Sequence, residues 1–178
     1  FCPVCIDQGV YPVKEPYCTR CGIPFPPYHP DNHVCGDCLT SHMKVDAIRA
    51  ACEYKGVIRQ AVPLFKYQAR ISLAKGFEQM VFKTFITGFN PDAFDRIIPV
   101  PLHLSRLRSR GFNQAFLLMR HFSRLYRDHF GCRPGWQVDL RSLVRHKNTS
   151  PQAGFDLTER KKNLKGAFAV TDKAAVQG

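Results

Sequence analysis

The stretch that decides the fold is Arg96–Gln114, RIIPVPLHLSRLRSRGFNQ. It opens as a β-branched apolar run, Ile97-Ile98-Pro99-Val100, which reads as a short strand. Pro101 breaks the run, and the residues that follow read as a loop carrying Arg106, Arg108 and Arg110. Gly111 closes that loop, and a long amphipathic helix is predicted from about Phe112 to Phe130. Strand, arginine loop and helix start together suit the holding of phosphate. The strand fixes the loop, the guanidinium groups offer paired donors, and free N–H groups at the helix start add positive potential. The bland alternative is a basic surface loop that only aids solubility. Pro101 and Gly111 bracket the arginines in a connection too short for a random charged tail, which favours the anion site.

Outward from this stretch, charge points the same way. The 178 residues carry a formal net charge of +12, which argues for an anionic partner: nucleic acid, a polyphosphate-bearing small molecule, or both. Between Ser105 and Arg133 lie seven arginines and one acid, Asp128. The length allows one ordinary domain and a small satellite. No apolar run is long enough to cross a bilayer, and no signal peptide opens the chain. The chain begins at Phe1 without Met, so an N-terminal piece is expected to be missing.

Toward the N-terminus, six of the eight cysteines form three Cys-x-x-Cys pairs: Cys2/Cys5, Cys18/Cys21 and Cys35/Cys38. A knuckle turn aims both sulfurs of a pair at one ion, and two knuckles complete a tetrahedral site. Thirteen residues separate Cys21 from Cys35, close to zinc-ribbon spacing. Disulfides, a redox pair or an iron–sulfur cluster are the alternatives; two pairs at ribbon spacing favour structural zinc on Cys18, Cys21, Cys35 and Cys38. Cys2 and Cys5 are candidates for half of a second metal site; His29, His33 and His42 could donate but read better as solvent-facing loop residues, and a partner pair upstream is the expected complement. Cys52 and Cys132 read as buried small hydrophobes. Residues 1–44 form the zinc ribbon and 45–178 the main domain.

In the main domain, Ala47–Tyr54 reads as a strand and Val57–Tyr67 as a helix burying Ile58, Ala61, Val62 and Phe65, with Pro63 interrupting. Ile71–Phe89 reads as a second helix, with Leu73, Phe77, Met80, Val81, Phe85 and Ile86 inward. The Phe112–Phe130 helix turns Ala115, Leu118, Phe122 and Leu125 inward and sets Arg120, Arg124 and Arg127 on another face. Asp139–Arg145 reads as a strand, His146–Phe155 as a polar loop, Leu157–Leu164 as a helix capped by Thr158, and Ala167–Val170 as a strand. This order suggests an α/β fold with a mainly parallel sheet.

The chain resembles the ComF family, competence-associated phosphoribosyltransferase-like proteins that include the GntX type. The resemblance rests on the cysteine pairs, Tyr54-Lys55-Gly56 with Ile58-Arg59, Phe65-Lys66-Tyr67, Pro99-Val100-Pro101-Leu102-His103 and Arg110-Gly111-Phe112-Asn113-Gln114. It continues in Gln152, Leu157, Arg160, Asn163, Gly166, Ala167 and Phe168. It implies a zinc ribbon on a type I phosphoribosyltransferase-like domain, cytoplasmic, binding phosphoribosyl diphosphate with Mg²⁺ and tied to DNA uptake. Arg106, Arg108, Arg110 and Gly111 would form the pyrophosphate loop. Residues 145–163, with Gln152 and Arg160, would form a hood over the site. The sequence departs from the family in carrying no Asp-Asp pair and no Thr-Thr-Gly turn, the elements that hold the ribose phosphate. The chain is therefore expected to be trimmed at both ends and inactive as a transferase as it stands. A second function class is a non-catalytic module that binds single-stranded DNA, with Phe112, Phe116, Tyr126 and Phe130 stacking on bases, or that docks a DNA-uptake helicase.

Overall fold

Apolar spacing carries most of the helical structure. In the computed structural model, which describes residues 3–41 and 43–176, helices α1 (Pro3–Gly9), α2 (Gly36–Thr40), α3 (Gly56–Tyr67) and α4 (Ala74–Gly88) belong to a first compact unit, residues 1–90. Residues 91–178 form a second. Compactness thus divides the chain at a different place from the motif boundary at 44/45.

In the first unit α3 buries Ile58, Ala61 and Phe65, an i, i+3, i+7 stripe, and keeps Pro63 inside the helix. Phe65 meets Phe77 of α4, ring centroids 5.4 Å apart. On α4 the fully buried residues are Phe77, Glu78 and Phe82; Leu73, Met80, Val81, Phe85 and Ile86 are only partly covered. The strand expected at Ala47–Tyr54 does not form. Its segment makes one antiparallel bridge, Pro12 to Cys52, and the Glu53 N–H donates to the Tyr11 carbonyl at 2.8 Å. Pro12 has no N–H to continue a ladder, so pairing stops there.

The second unit holds β1 (Arg96–Ile97), α5 (Leu104–Arg110), α6 (Gln114–Leu117), α7 (Phe122–Phe130), β2 (Gln137–Val138), β3 (Leu143–Arg145), α8 (Leu157–Leu164) and β4 (Phe168–Val170). β1 and β2 pair in parallel, Arg96 with Gln137 and Ile97 with Val138; β3 and β4 pair antiparallel, Leu143 with Val170 and Arg145 with Phe168. The fold is mixed α/β, and among the described residues the sheets are two separate pairs rather than one mainly parallel sheet. β1 ends at Ile97 because Pro99 and Pro101 remove ladder donors. The strand expected at Asp139–Arg145 is a turn followed by β3. The carboxylate of Asp139 accepts the N–H groups of Arg141 and Ser142, at 2.8 and 3.0 Å, and folds the chain on itself.

The expected Phe112–Phe130 helix is broken. α6 ends after one turn, and the Met119 and Phe122 N–H groups reach back three residues, to Phe116 and Met119, before α7 begins. Phe122, Tyr126, Trp136 and Ala167 are buried, with Tyr126 and Trp136 edge to face at 5.6 Å. α8 is capped by Asp156, not Thr158. Asp156 and Glu159 form a reciprocal capping box, each carboxylate accepting the other residue's backbone N–H.

Candidate metal centre and arginine cluster

The cysteine cluster lies in the first unit. The ligand atoms of Cys18, Cys21, Cys35 and Cys38 all lie within 4.8 Å of one another, and the four thiols are free. Cys21 and Cys35 Sγ are 3.7 Å apart, far beyond a disulfide bond. The knuckle turns aim N–H groups inward: Cys21 and Cys35 both donate to Cys18 Sγ, at 3.4 and 3.3 Å. Gly22 has φ +73°, and a Cβ there would meet the Ile48 carbonyl oxygen at 2.5 Å, so the turn requires glycine.

Burial alone would raise the Cys18 thiol, but N–H donors from Cys35, Cys21 and Arg20 outweigh it and bring the pKa down to about 5. Cys38 moves the other way, pushed up to about 12 by burial and then by the sulfurs of Cys35, Cys21 and Cys18. Buried sulfurs this close cannot all ionise without a cation among them. A divalent ion removes that conflict, and four thiolates in a tetrahedral set match zinc chemistry. The residues present fit such an ion.

Two arginines that sequence reasoning missed brace the cluster. Arg20 donates to the carbonyls of Cys38, at 3.2 Å, and Met43, at 2.6 Å. Arg49 donates to the carbonyls of Thr19 and Ile48, both at 2.9 Å, and its guanidinium sits 5.1 Å from the Tyr17 ring centroid and 5.5 Å from that of Phe89. Nothing in the sequence marks either residue, because each acts on carbonyls presented by the fold. Cys2, the Cys5 side chain and His42, named for the expected second metal site, lie outside the described residues. The His29 and His33 rings stack on Phe25, at 5.2 and 4.1 Å, and neither joins the four-sulfur cluster, although the His33 backbone bridges that of Cys18. Cys52 is half-buried and Cys132 is exposed, so Cys132 is not the core residue expected.

In the second unit the arginine loop is helix α5. His103 caps it, Nδ1 accepting the Ser105 N–H at 3.3 Å, and Gly111 ends it in the left-handed region at φ +78°. Asn113 then caps α6, taking the Ala115 N–H at 3.0 Å. A helix start with free N–H groups, expected as part of the phosphate grip, is thus a single turn whose first donor already has a partner.

Helical phase leaves Arg106 and Arg110, four residues apart, on one face of α5 and turns Arg108 to the other. Arg106 turns inward and donates Nη2 to the Thr149 carbonyl at 2.6 Å. Arg108 is exposed and Arg110 partly buried. Arg145, at the end of β3, donates to the Thr149 hydroxyl, so two guanidinium groups share one residue. Among the described residues no carboxylate pairs with either. Burial, then the charge of Arg106, holds the Arg145 pKa below its ordinary value. Arg145 Nε and both amide atoms of Gln152 are buried without partners. Arg160 stands exposed on α8, whose Asn163 donates to the Ser150 carbonyl at 2.9 Å. A cavity of about 530 Å³ lies alongside, lined by Leu102, Leu107, Phe116, Leu143 and Arg145. Of the stacking aromatics expected, Tyr126 is buried with its hydroxyl donating to Asp92 at 2.7 Å and cannot meet a base.

Comparison with known proteins bears out the family resemblance as a distant homology. The chain is 28% identical to Competence protein F of Haemophilus influenzae over 87% of its length and 64% of that protein. It is 27% identical to DNA utilization protein YhgH of Escherichia coli K12 over 90% of its length and 66% of that protein. Competence protein ComFC of Bacillus subtilis is 28% identical over 57% of the chain and 42% of that protein. The chain therefore spans a little under two-thirds of the length of the first two relatives. No family model and no solved structure matches it. Among the described residues no helix is long and apolar enough to cross a membrane.

Proposed function

We propose, from this distant homology to competence and DNA-utilization proteins, that the chain is a zinc-containing, phosphate-binding protein of the ComF type that serves the handling of incoming DNA in the cytoplasm. The observation that carries the reading is the convergence of Arg106 and Arg145 on Thr149, with no carboxylate paired to either among the described residues. Two partly buried cations at one place, with donors unused, suit a multiply charged oxyanion. The ligand is phosphoribosyl diphosphate, with Arg108, Arg110, Gly111, Gln152 and Arg160 as further candidates to contact it. Mg²⁺ arrives with the diphosphate, since among the described residues the cysteines form the only cluster of metal-ligand side chains. The cysteine ribbon carries zinc as a structural element.

Isothermal titration with phosphoribosyl diphosphate and Mg²⁺ tests the reading. Saturable heat that Arg106→Ala abolishes supports it, and absence of heat from the unsubstituted protein refutes it. Binding, not turnover, is the claim.

A second reading, single-stranded DNA binding, is favoured by Arg120, Arg124 and Arg127, all exposed, and by the half-exposed Phe130. Arg124 also pairs with Asp128 at 3.5 Å, which reduces its reach. Fluorescence anisotropy against salt separates the two: steep loss of affinity with salt is the signature of phosphate contacts along a strand. Docking of a DNA-uptake helicase would survive nuclease treatment in a pull-down, and strand-mediated association would not.

A further inference from the structure

We propose that Thr149 sits in the anion position between Arg106 and Arg145 as an internal ligand, and that a phosphorylated ligand binds by displacing it and releasing the loop of residues 147–155. The inference rests on the phosphate-binding reading of the same cluster. Thr149 presents two neutral oxygens, carbonyl and hydroxyl, to two guanidinium groups that have no carboxylate partner among the described residues. Those are the positions that two oxygens of a phosphate or diphosphate would take. An ionised oxygen accepts from a guanidinium more strongly than a carbonyl or hydroxyl does, and a bidentate one more strongly still. Diphosphate therefore outcompetes Thr149 for the same donors.

The loop is built to be released. Thr149 is its single buried residue, at 4% exposure, while Lys147, Asn148 and Ser150 on either side are exposed. Its middle is tied down by the two arginine contacts and by Asn163 to the Ser150 carbonyl. Three residues on, the Gln152 amide is buried with neither Nε2 nor Oε1 partnered. The docked loop thus carries an unsatisfied donor and acceptor, a cost that its release removes. The Arg145 Nε, also unpartnered, is a further donor for the incoming anion.

Two measurements on the full chain test the proposal, with inorganic diphosphate as the probe. Thr149→Ala removes one of the two competing oxygens. Titration calorimetry is expected to show diphosphate binding about three- to tenfold tighter than in the unsubstituted protein, the worth of one net hydrogen bond. In the unsubstituted protein, trypsin cleavage after Lys147 is expected to quicken as diphosphate saturates. Equal or weaker binding by Thr149→Ala overturns the proposal. So does protection of Lys147 by diphosphate, since a loop that closes over its ligand would be shielded. Either result, with the unsubstituted protein binding, leaves the phosphate site standing. Absence of binding by both proteins overturns the phosphate site itself.

Discussion

Asp139→Asn tests whether one carboxylate organises the second unit. Asp139 is 8% exposed and lies after β2, where it accepts the N–H groups of Arg141 and Ser142 and the Ser142 hydroxyl. Oδ1 takes both N–H groups, and Oδ2, which accepts the Ser142 hydroxyl, also takes Arg96 Nη1 at 3.0 Å, from β1, 43 residues away in sequence. The Ser142 hydroxyl first, then the N–H groups of Ser142 and Arg141, hold its pKa well below the usual carboxylate range, more than offsetting burial. Asparagine keeps the shape and one accepting oxygen but sets an NH₂ against the Arg96 donor. The ion pair is lost, and three charge-assisted bonds weaken or reverse. Breaking a fully buried pair costs about 3–5 kcal/mol. Arg96 keeps 27% of its side chain exposed, so water compensates part of its loss, and about 2–3 kcal/mol remains.

Urea unfolding followed by fluorescence of Trp136 reads this directly, because it is the only tryptophan and is buried in the second unit. With a slope of about 1–2 kcal/mol per molar, the midpoint falls by about 1–3 M at pH 7. The pH dependence has a fixed sign. A carboxylate whose folded pKa is depressed contributes its stability fully above the unfolded value, about 3.9, and loses it as pH falls toward the folded value. The gap between the two proteins is therefore constant from pH 7 down to about pH 5 and narrows below pH 4. Equal midpoints at pH 7, or a gap at pH 3 as wide as at pH 7, would refute the assignment.

Other consequences are simpler to read. Cys18→Ala or Cys38→Ala is expected to lose bound zinc in metal analysis of the purified protein, and a zinc chelator to lower the melting temperature of the unsubstituted chain. Gly22→Ala forces a side chain into the left-handed region against the Ile48 carbonyl; a loss of about 1–3 kcal/mol in thermal unfolding is expected, with weaker zinc retention. Asp156→Ala removes the cap of α8 and costs about 1 kcal/mol, while Thr158→Ala costs almost nothing; comparing their urea midpoints decides between the two caps. Arg106→Ala is expected to weaken diphosphate binding more than tenfold and Arg127→Ala to leave it unchanged, as calorimetry would show.

Patterns written over a few neighbouring residues were legible in the chain. The two cysteine knuckles at ribbon spacing assemble one four-sulfur cluster. The apolar spacing at Ile58, Ala61 and Phe65 gives α3, and the Leu157–Leu164 helix appears with those bounds. These hold because a knuckle turn or an i, i+3, i+7 stripe is satisfied largely by its own neighbours. Strands fared worse. Ala47–Tyr54 has strand composition, but its facing segment carries Pro12, and a ladder needs donors from both sides.

The arginine stretch divides between the two kinds of information. Its sequence alone determined that three guanidinium groups stand close together, bracketed by a proline and a glycine. Only the tertiary structure decided that they lie on a helix, that Arg106 reaches Thr149, and that Arg145 comes from another element to meet it there. Thr149 is 43 residues from Arg106, as Asp139 is from Arg96. Partners that far apart are chosen by which carbonyl, hydroxyl or carboxylate the folded backbone turns toward a given donor, and no local pattern records that choice.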